Sequence, residues 1–341
     1  MKPQTWLTIA GVMISSFISN VPRSHAQMIS ESSLPAIASQ SQLYAYNFDR
    51  GLLEELSKYE QNIDCEASNL SNSTHYQTLI NWGIALQNHQ RYQESLSCFE
   101  QALAINSDVE QAWYRQGISF SHLRQYQQAA LSYQQAIRLN PNEHTAWYNQ
   151  GNAYKHLGQY EQAIASFHKA VELEPDFHVA YYQLGKVLSR MGQMEAAIAA
   201  YQEVTAINPE YYRAWYNMGS LLNRLERYSE AIAVYQETLK FQPSQHQAWY
   251  NLGNIHLKLK NYSEAIAAYE TAIQLKPDYS LAWNNHGVAL EALHQNQQAL
   301  QSYGKAIQLD PSYEKALNNH HRLLLLESGS NPILSNVIEA E

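Results

Sequence analysis

A period of 34 residues constrains this chain more than any local propensity does. Glycines recur without a gap at Gly83, Gly117, Gly151, Gly185, Gly219, Gly253 and Gly287. Prolines follow in register at Pro141, Pro175, Pro209, Pro243, Pro277 and Pro311. Self-similarity at a fixed period of roughly 20–50 residues marks stacked units, each too small to bury its apolar face alone. The 341 residues are therefore expected to form one stack of repeats rather than two compact domains.

Seven units run in phase: 76–109, 110–143, 144–177, 178–211, 212–245, 246–279 and 280–313. The third shows the design. Trp147, Gly151 and Tyr154 lie at i, i+4 and i+7, one face of a helix, and fourth, eighth and eleventh positions are expected to point to the core. Leu157-Gly158-Gln159 ends that helix. Ala163, Phe167 and Ala170 repeat the spacing on a second one, which Pro175 stops because its ring and missing N–H cannot continue a helix. Alanine is expected where helices touch, with Phe167 filling the gap between them. Gly151 is expected to permit a close approach, against the ~1 kcal/mol that glycine costs in a helix interior.

This order of residues resembles the tetratricopeptide repeat family over 76–313. The resemblance implies an all-α fold, a right-handed α-solenoid of antiparallel helix pairs, with a concave groove that receives peptides or partner helices. Departures are local: Leu79, Ser95 and Ser107 in the first unit, Tyr181, Met194 and Val204 in the fourth, then Thr238, His256 and Asn296.

The flanks read differently. Lys2, the apolar run Leu7–Ile18 and Ser24-His25-Ala26 read as an export signal over 1–26. The run is shorter than the roughly 20 residues needed to span a bilayer, so membrane contact is expected only if the signal stays uncleaved. Residues 27–75 are expected to hold a flexible leader and a capping helix within Leu43–Gln61. Residues 314–327 read as a C-terminal capping helix, with Ala316, Leu317 and Leu324 covering the last apolar face, and 328–341 as a tail. The expected location is the periplasm, a thylakoid lumen or the extracellular space.

No P-loop, GxSxG, HExxH or paired CxxC occurs, and the reading is non-enzymatic, without cofactor or small-molecule substrate. The net charge of −9, without a long basic run, does not suggest nucleic acid. His144, His178 and His246 head different units and His320-His321 diverge on a helix, so no metal site is expected. Cys65 and Cys98 leave two readings open: a disulfide that staples the N-terminal loop to the first repeat, or two thiols. Cys98, one position before Phe99, is expected to face outward.

The informative surface is the far side of the first helix of each unit, at positions 2, 5, 9, 12 and 13. The fifth is tyrosine in units 2 to 6: Tyr114, Tyr148, Tyr182, Tyr216 and Tyr250. The thirteenth is His122, His156, Arg190, Arg224 and Lys258, and Lys155, Lys186 and Arg213 add charge. Asn152 and Asn254 occupy the ninth position. One reading gives the tyrosines a packing role and the cations a place at the helix C-terminus. The other makes the row a groove for an acidic protein segment. Some members of the family hold a C-terminal carboxylate with lysine at the fifth position; tyrosine there does not support that specificity. The expected function is an interaction scaffold of the cell envelope that aids complex assembly. The alternatives are a self-associating structural solenoid or an accessory subunit of an enzyme complex.

Overall fold

The computed structural model describes Cys65 and residues 75–328. The expected signal, the Leu43–Gln61 helix and the tail beyond Ser328 lie outside the described residues. Among the described residues there are fifteen α-helices and no strand. They are α1 (Tyr76–Asn88), α2 (Tyr92–Ile105), α3 (Glu110–His122), α4 (Tyr126–Leu139), α5 (His144–His156), α6 (Tyr160–Leu173), α7 (His178–Arg190), α8 (Met194–Ile207), α9 (Tyr212–Arg224), α10 (Tyr228–Phe241), α11 (His246–Lys258), α12 (Tyr262–Leu275), α13 (Ser280–Ala292), α14 (Asn296–Leu309) and α15 (Glu314–Glu327). Each repeat gives a first helix, A, over its positions 1–13 and a second, B, over positions 17–30. The chain divides into two compact units, the first ending at Leu173 and the second beginning at Glu174. The first holds α1–α6 and the second α7–α15.

The glycine of each A helix serves one ring. A Cβ built on Gly253 would lie 2.6 Å from Tyr269, and one on Gly151 2.7 Å from Phe167. The ring always belongs to the B helix of the same repeat, sixteen residues on. Phe99, Tyr133, Phe167, Tyr201, Tyr235, Tyr269 and Tyr303 are all buried. Close packing leaves no room there for even one methyl group.

The core face of helix A meets the sequence expectation at the glycines and at the eleventh-position leucines Leu86, Leu188, Leu222 and Leu290, which are buried, and differs at the tryptophans and tyrosines. Trp147 and Tyr154 are only half-buried. The third-position alanines, Ala112, Ala146, Ala180, Ala214, Ala248, Ala282 and Ala316, are each 0% exposed. Ala112 packs with Ala102 and Leu103 of α2, and Ala282 with Ala272 and Ile273 of α12. Helix A is thus held from two sides, by its own B helix at the glycine and by the preceding B helix at the alanine. The tryptophans lie over the inter-repeat turns instead. Trp147 Nε1 donates to the Pro141 carbonyl at 2.8 Å, and Trp215, Trp249 and Trp283 repeat the bond to Pro209, Pro243 and Pro277.

Every A helix ends in the same way. Position 15 lies in the left-handed region in all seven repeats: Gln90, Arg124, Gly158, Gly192, Glu226, Lys260 and His294, with φ between 59° and 78°. The N–H of Gly158 then reaches the Lys155 carbonyl and that of Gln159 the Tyr154 carbonyl, so the last carbonyls are satisfied. A side chain with Cβ is disfavoured in this conformation by roughly 1–2 kcal/mol. Glu226→Gly is accordingly expected to stabilise the chain by roughly 0.5–1 kcal/mol after the extra backbone freedom of glycine in the unfolded state is deducted. A raised urea midpoint checks this.

In repeats 2 and 3 position 7 carries a buried polar pair. Ser132 donates to Gln116 at 2.8 Å, and Ser166 to Gln150 at 3.1 Å. In the seventh repeat the same position is a histidine, again opposite a serine. His286 Nδ1 lies 3.0 Å from Ser302 Oγ on α14, and its buried Nε2 has no hydrogen bond and sits 3.8 Å from Glu270 of α12. Burial holds this imidazole below its ordinary value of 6.5, against the opposing pull of Glu270. Below that value the unfolded chain binds more protons than the folded one, so stability present at neutral pH is lost as the pH falls. His286→Gln, which restores the glutamine–serine pair, is expected to shrink the loss of stability between about pH 7 and pH 5. Urea midpoints at the two pH values report it.

At the C-terminal end, α15 covers α14 with Ala316 and Leu323, both buried. Leu317 and Leu324, expected to do this from the sequence, are 40% and 49% exposed, because each follows a buried residue by one position and so lies about 100° round the helix from it. Arg322 clamps α15 to α13 through paired bonds of 2.6 and 2.8 Å to Glu291, which also accepts from Tyr303 at 2.8 Å. Burial pushes the Glu291 carboxyl up, but the bonds from Arg322 and Tyr303 outweigh it and hold it low.

Cys65 and Cys98 are joined by a disulfide with Cα atoms 5.2 Å apart. Cys98 does not face outward: it is 0% exposed and packs with Leu79, Ile80 and Phe99. The B helix of the first repeat is covered on that side by Cys65, so the position beside the core ring is itself core.

Candidate functional site

Positions 2, 5, 9, 12 and 13 of helix A point roughly away from the alanine face, given about 100° per residue. In the first unit Tyr114 leans on Tyr133 and Tyr148 on Phe167, with ring centres 6.0 and 5.9 Å apart. In the second unit Tyr182, Tyr216 and Tyr250 lean on Tyr201, Tyr235 and Tyr269 at 5.8–6.0 Å. Their hydroxyls join neighbouring repeats. Asn149 donates to Tyr114 at 3.1 Å, Asn217 to Tyr182 at 3.3 Å, Asn251 to Tyr216 at 3.4 Å and Asn285 to Tyr250 at 3.2 Å. These fifth-position tyrosines are half-buried. Each has one edge fixed in the fold and the remainder exposed.

The sixth-position asparagines were not singled out from the sequence: Asn81, Asn149, Asn217, Asn251 and Asn285 follow the 34-residue period, but Arg115 and Gln183 interrupt it. The thirteenth position also has a structural partner. His122 stacks on Tyr92 at 4.2 Å, His156 on Tyr126 at 4.4 Å, and the Lys258 ammonium sits 5.4 Å from the Tyr228 ring centre. The partner is in each case the first residue of the preceding B helix, so these side chains lean across the repeat boundary.

The two asparagines at the ninth position differ. Asn254 Oδ1 accepts from Tyr269 and Asn285, both at 2.8 Å, so its acceptor is committed to packing. Asn152 accepts from Lys155 at 2.8 Å. Asn152 also lines a cleft of about 330 Å³ in the first unit, together with Ser121, His122, Tyr126 and His156. The structure thus brings His122, Asn152 and His156 to one concavity.

In the second unit Lys186 lies 5.7 Å from the Tyr182 ring centre and Arg213 lies 5.9 Å from that of Tyr212. Arg190 and Arg224 are the exposed last residues of α7 and α9. Among the described residues, no carboxylate lies within 4.0 Å of Lys186, Arg213, Arg224 or Lys258. Two further aromatic groups join this face, at positions 34 and 1. Tyr211 meets Tyr182 at 5.0 Å and His178 at 5.6 Å; Tyr279 meets Tyr250 at 4.9 Å and His246 at 5.4 Å. Burial, reinforced by Tyr250 and Tyr216, pushes the Tyr279 phenol up to about 12. His178 and His246 thus have an aromatic neighbour, a contact that the spacing within helix A does not reveal because Tyr211 and Tyr279 lie outside that helix.

Among the described residues no group of three or more His, Cys, Asp or Glu is placed to hold a metal ion. No described helix is long and apolar enough to cross a membrane.

Family models described as tetratricopeptide repeat match residues 76–109, 110–143, 144–177, 182–246, 246–279 and 281–313. No curated protein matches the chain. Among solved structures, the C-terminal part of a TPR repeat-containing protein from Cytophaga hutchinsonii is similar with a TM-score of 0.63 at 16% identity, over 70% of this chain and 98% of that one. A tetratricopeptide repeat protein from Parabacteroides merdae gives 0.50 at 15% identity, over 74% and 99%. YrrB, described as a TPR protein with an unusual peptide-binding site, gives 0.49 at 24% identity, over 58% and 97%. At these identities the likeness is one of fold.

Proposed function

Because the chain belongs to the tetratricopeptide repeat family, whose members bind protein or peptide partners, we propose that it is a non-enzymatic scaffold holding an acidic segment of a partner protein on the inner faces of its A helices. One observation carries this reading. The chain has 31 Asp and Glu against 22 Lys and Arg, yet positions 2, 5, 9, 12 and 13 of repeats 2 to 6 contain no acidic residue. The same positions of repeats 4 to 6 carry Lys186, Arg190, Arg213, Arg224 and Lys258. A cationic strip on an acidic protein steers an anionic ligand to one face and repels the chain's own surface from it. The half-buried tyrosines beside it supply rigid contact area at low entropic cost. An exported compartment is part of the proposal. It is supported by the signal-like first 26 residues and by the Cys65–Cys98 bond, since disulfides persist in oxidising compartments.

The test is a partner captured on the immobilised full chain from an envelope fraction, with its affinity then measured for the wild type and for Arg213→Glu/Arg224→Glu/Lys258→Glu. The triple variant is expected to bind roughly tenfold more weakly at low salt, with the difference narrowing as salt rises. Unchanged affinity contradicts the site.

A further inference from the structure

The aromatic residues of the second unit are arranged as more than a contact area. In repeat 4, His178, Tyr182 and Tyr211 come from the start of α7, its second turn and the residue just before α9. The Tyr211 ring stands at 67° to Tyr182 and at 68° to His178. In repeat 6 the same three positions give His246, Tyr250 and Tyr279, with angles of 50° between the tyrosines and 88° between Tyr279 and His246. Steeply inclined flat rings form walls rather than a stack, and all six residues are half-buried.

Cations border both groups. Lys186 lies beside Tyr182, and Lys276 lies 5.3 Å from the Tyr279 ring centre. Arg213 follows Tyr211 and Tyr212 in the chain and lies 5.9 Å from the Tyr212 ring centre. Each aromatic wall therefore has a positive charge at its rim. A ligand that matches both features carries a rigid apolar ring to pack against the aromatic corner and a carboxylate a residue or so away. Proline supplies the first in an extended polyproline II segment, whose backbone is already ordered before binding and advances about 3.1 Å per residue. Aspartate or glutamate supplies the second.

Resting on the inner-face reading above, we propose that the segment held by the second unit is an acidic, proline-bearing peptide in polyproline II conformation. Its prolines pack against the Tyr182–Tyr211 and Tyr250–Tyr279 walls, and its carboxylates meet Lys186, Arg213 and Lys276. Basic proline-rich peptides are excluded by those same cations, and flexible acidic peptides bind more weakly because they must be ordered on binding.

The experiment uses the wild-type chain and three fluorescein-labelled dodecapeptides, (Glu-Pro-Pro)4, (Glu-Ser-Ser)4 and (Lys-Pro-Pro)4, titrated by fluorescence anisotropy. The first is expected to bind at least tenfold more tightly than either of the others. Tyr211→Ala and Tyr279→Ala, with folding checked by circular dichroism, are expected to remove most of the advantage over (Glu-Ser-Ser)4. Equal binding of the two acidic peptides overturns the proline assignment and leaves the cationic site standing. Tighter binding of (Lys-Pro-Pro)4, or no acidic peptide bound at all, overturns the assignment as a whole. The captured partner's response to charge reversal separately decides the inner-face reading.

Discussion

Tyr269→Ala is expected to lower the free energy of unfolding by about 3–5 kcal/mol, the range for removing a large aromatic side chain from a packed core. Tyr269 is 0% exposed and fills the space that Gly253 leaves open on α11. Ala265 and Ala289, also 0% exposed, share its cluster, and neither is large enough to fill the space left behind. Its hydroxyl donates to Asn254, which in turn accepts from Asn285 in the next repeat. The substitution therefore opens a cavity and removes one bond of the network that joins repeats 6 and 7. Tyr269→Phe separates the two effects and is expected to cost about 1 kcal/mol, the share of the bond. Urea unfolding followed by tryptophan fluorescence measures both. A loss below about 1 kcal/mol for Tyr269→Ala means that glycine and ring are not the contact that joins the two helices.

The second large effect belongs to the first repeat. Reducing the Cys65–Cys98 bond is expected to destabilise α1 and α2 by about 3–4 kcal/mol, from the sequence separation of 33 residues that it closes. Cys65 and Cys98 lie in the cluster formed by Leu79, Ile80, Leu86 and Phe99, so reduction also removes a tether from a buried site. Hydrogen exchange with and without reductant measures it. Amides of α1 and α2 are expected to lose protection while those of α9 to α14 retain theirs. Equal protection in both conditions contradicts a stabilising role for the bond.

Much of the fold was legible because stacked repeats repeat their errors as well as their signals. The glycines and the B-helix aromatic kept one spacing through seven copies, with alanine on either side of the ring in most of them, and the structure places each glycine against its ring. What could not be read was which neighbour each face meets. Tryptophan is the largest and most apolar residue of helix A, and size suggested the core; its indole instead covers the turn and bonds a proline carbonyl. The third-position alanine is inconspicuous in sequence but packs against the B helix of the previous repeat, as Ala282 does against Ala272 and Ile273. Position 15 has a left-handed backbone in all seven repeats, but only Gly158 and Gly192 advertise it.

The site was legible in part for the same reason. Fifth-position tyrosines and thirteenth-position cations were visible as rows, because each row lies within one helix. Their partners lie one repeat away, so a helical wheel cannot show them: Asn285 for Tyr250, Tyr228 for Lys258 and Tyr92 for His122. Those partners give the rows a packing role, and the surface left over carries the proposed binding. Tyr211 and Tyr279 were missed because they precede the helices that define the repeat.

Hydrogen–deuterium exchange on the full chain, with and without its captured partner, tests the central claim most directly. The inner-face account predicts that the partner adds protection to peptides from α7, α9 and α11 while those from α8, α10 and α12 change little. Protection confined to the B helices, or to the exposed leucines of α15, contradicts it.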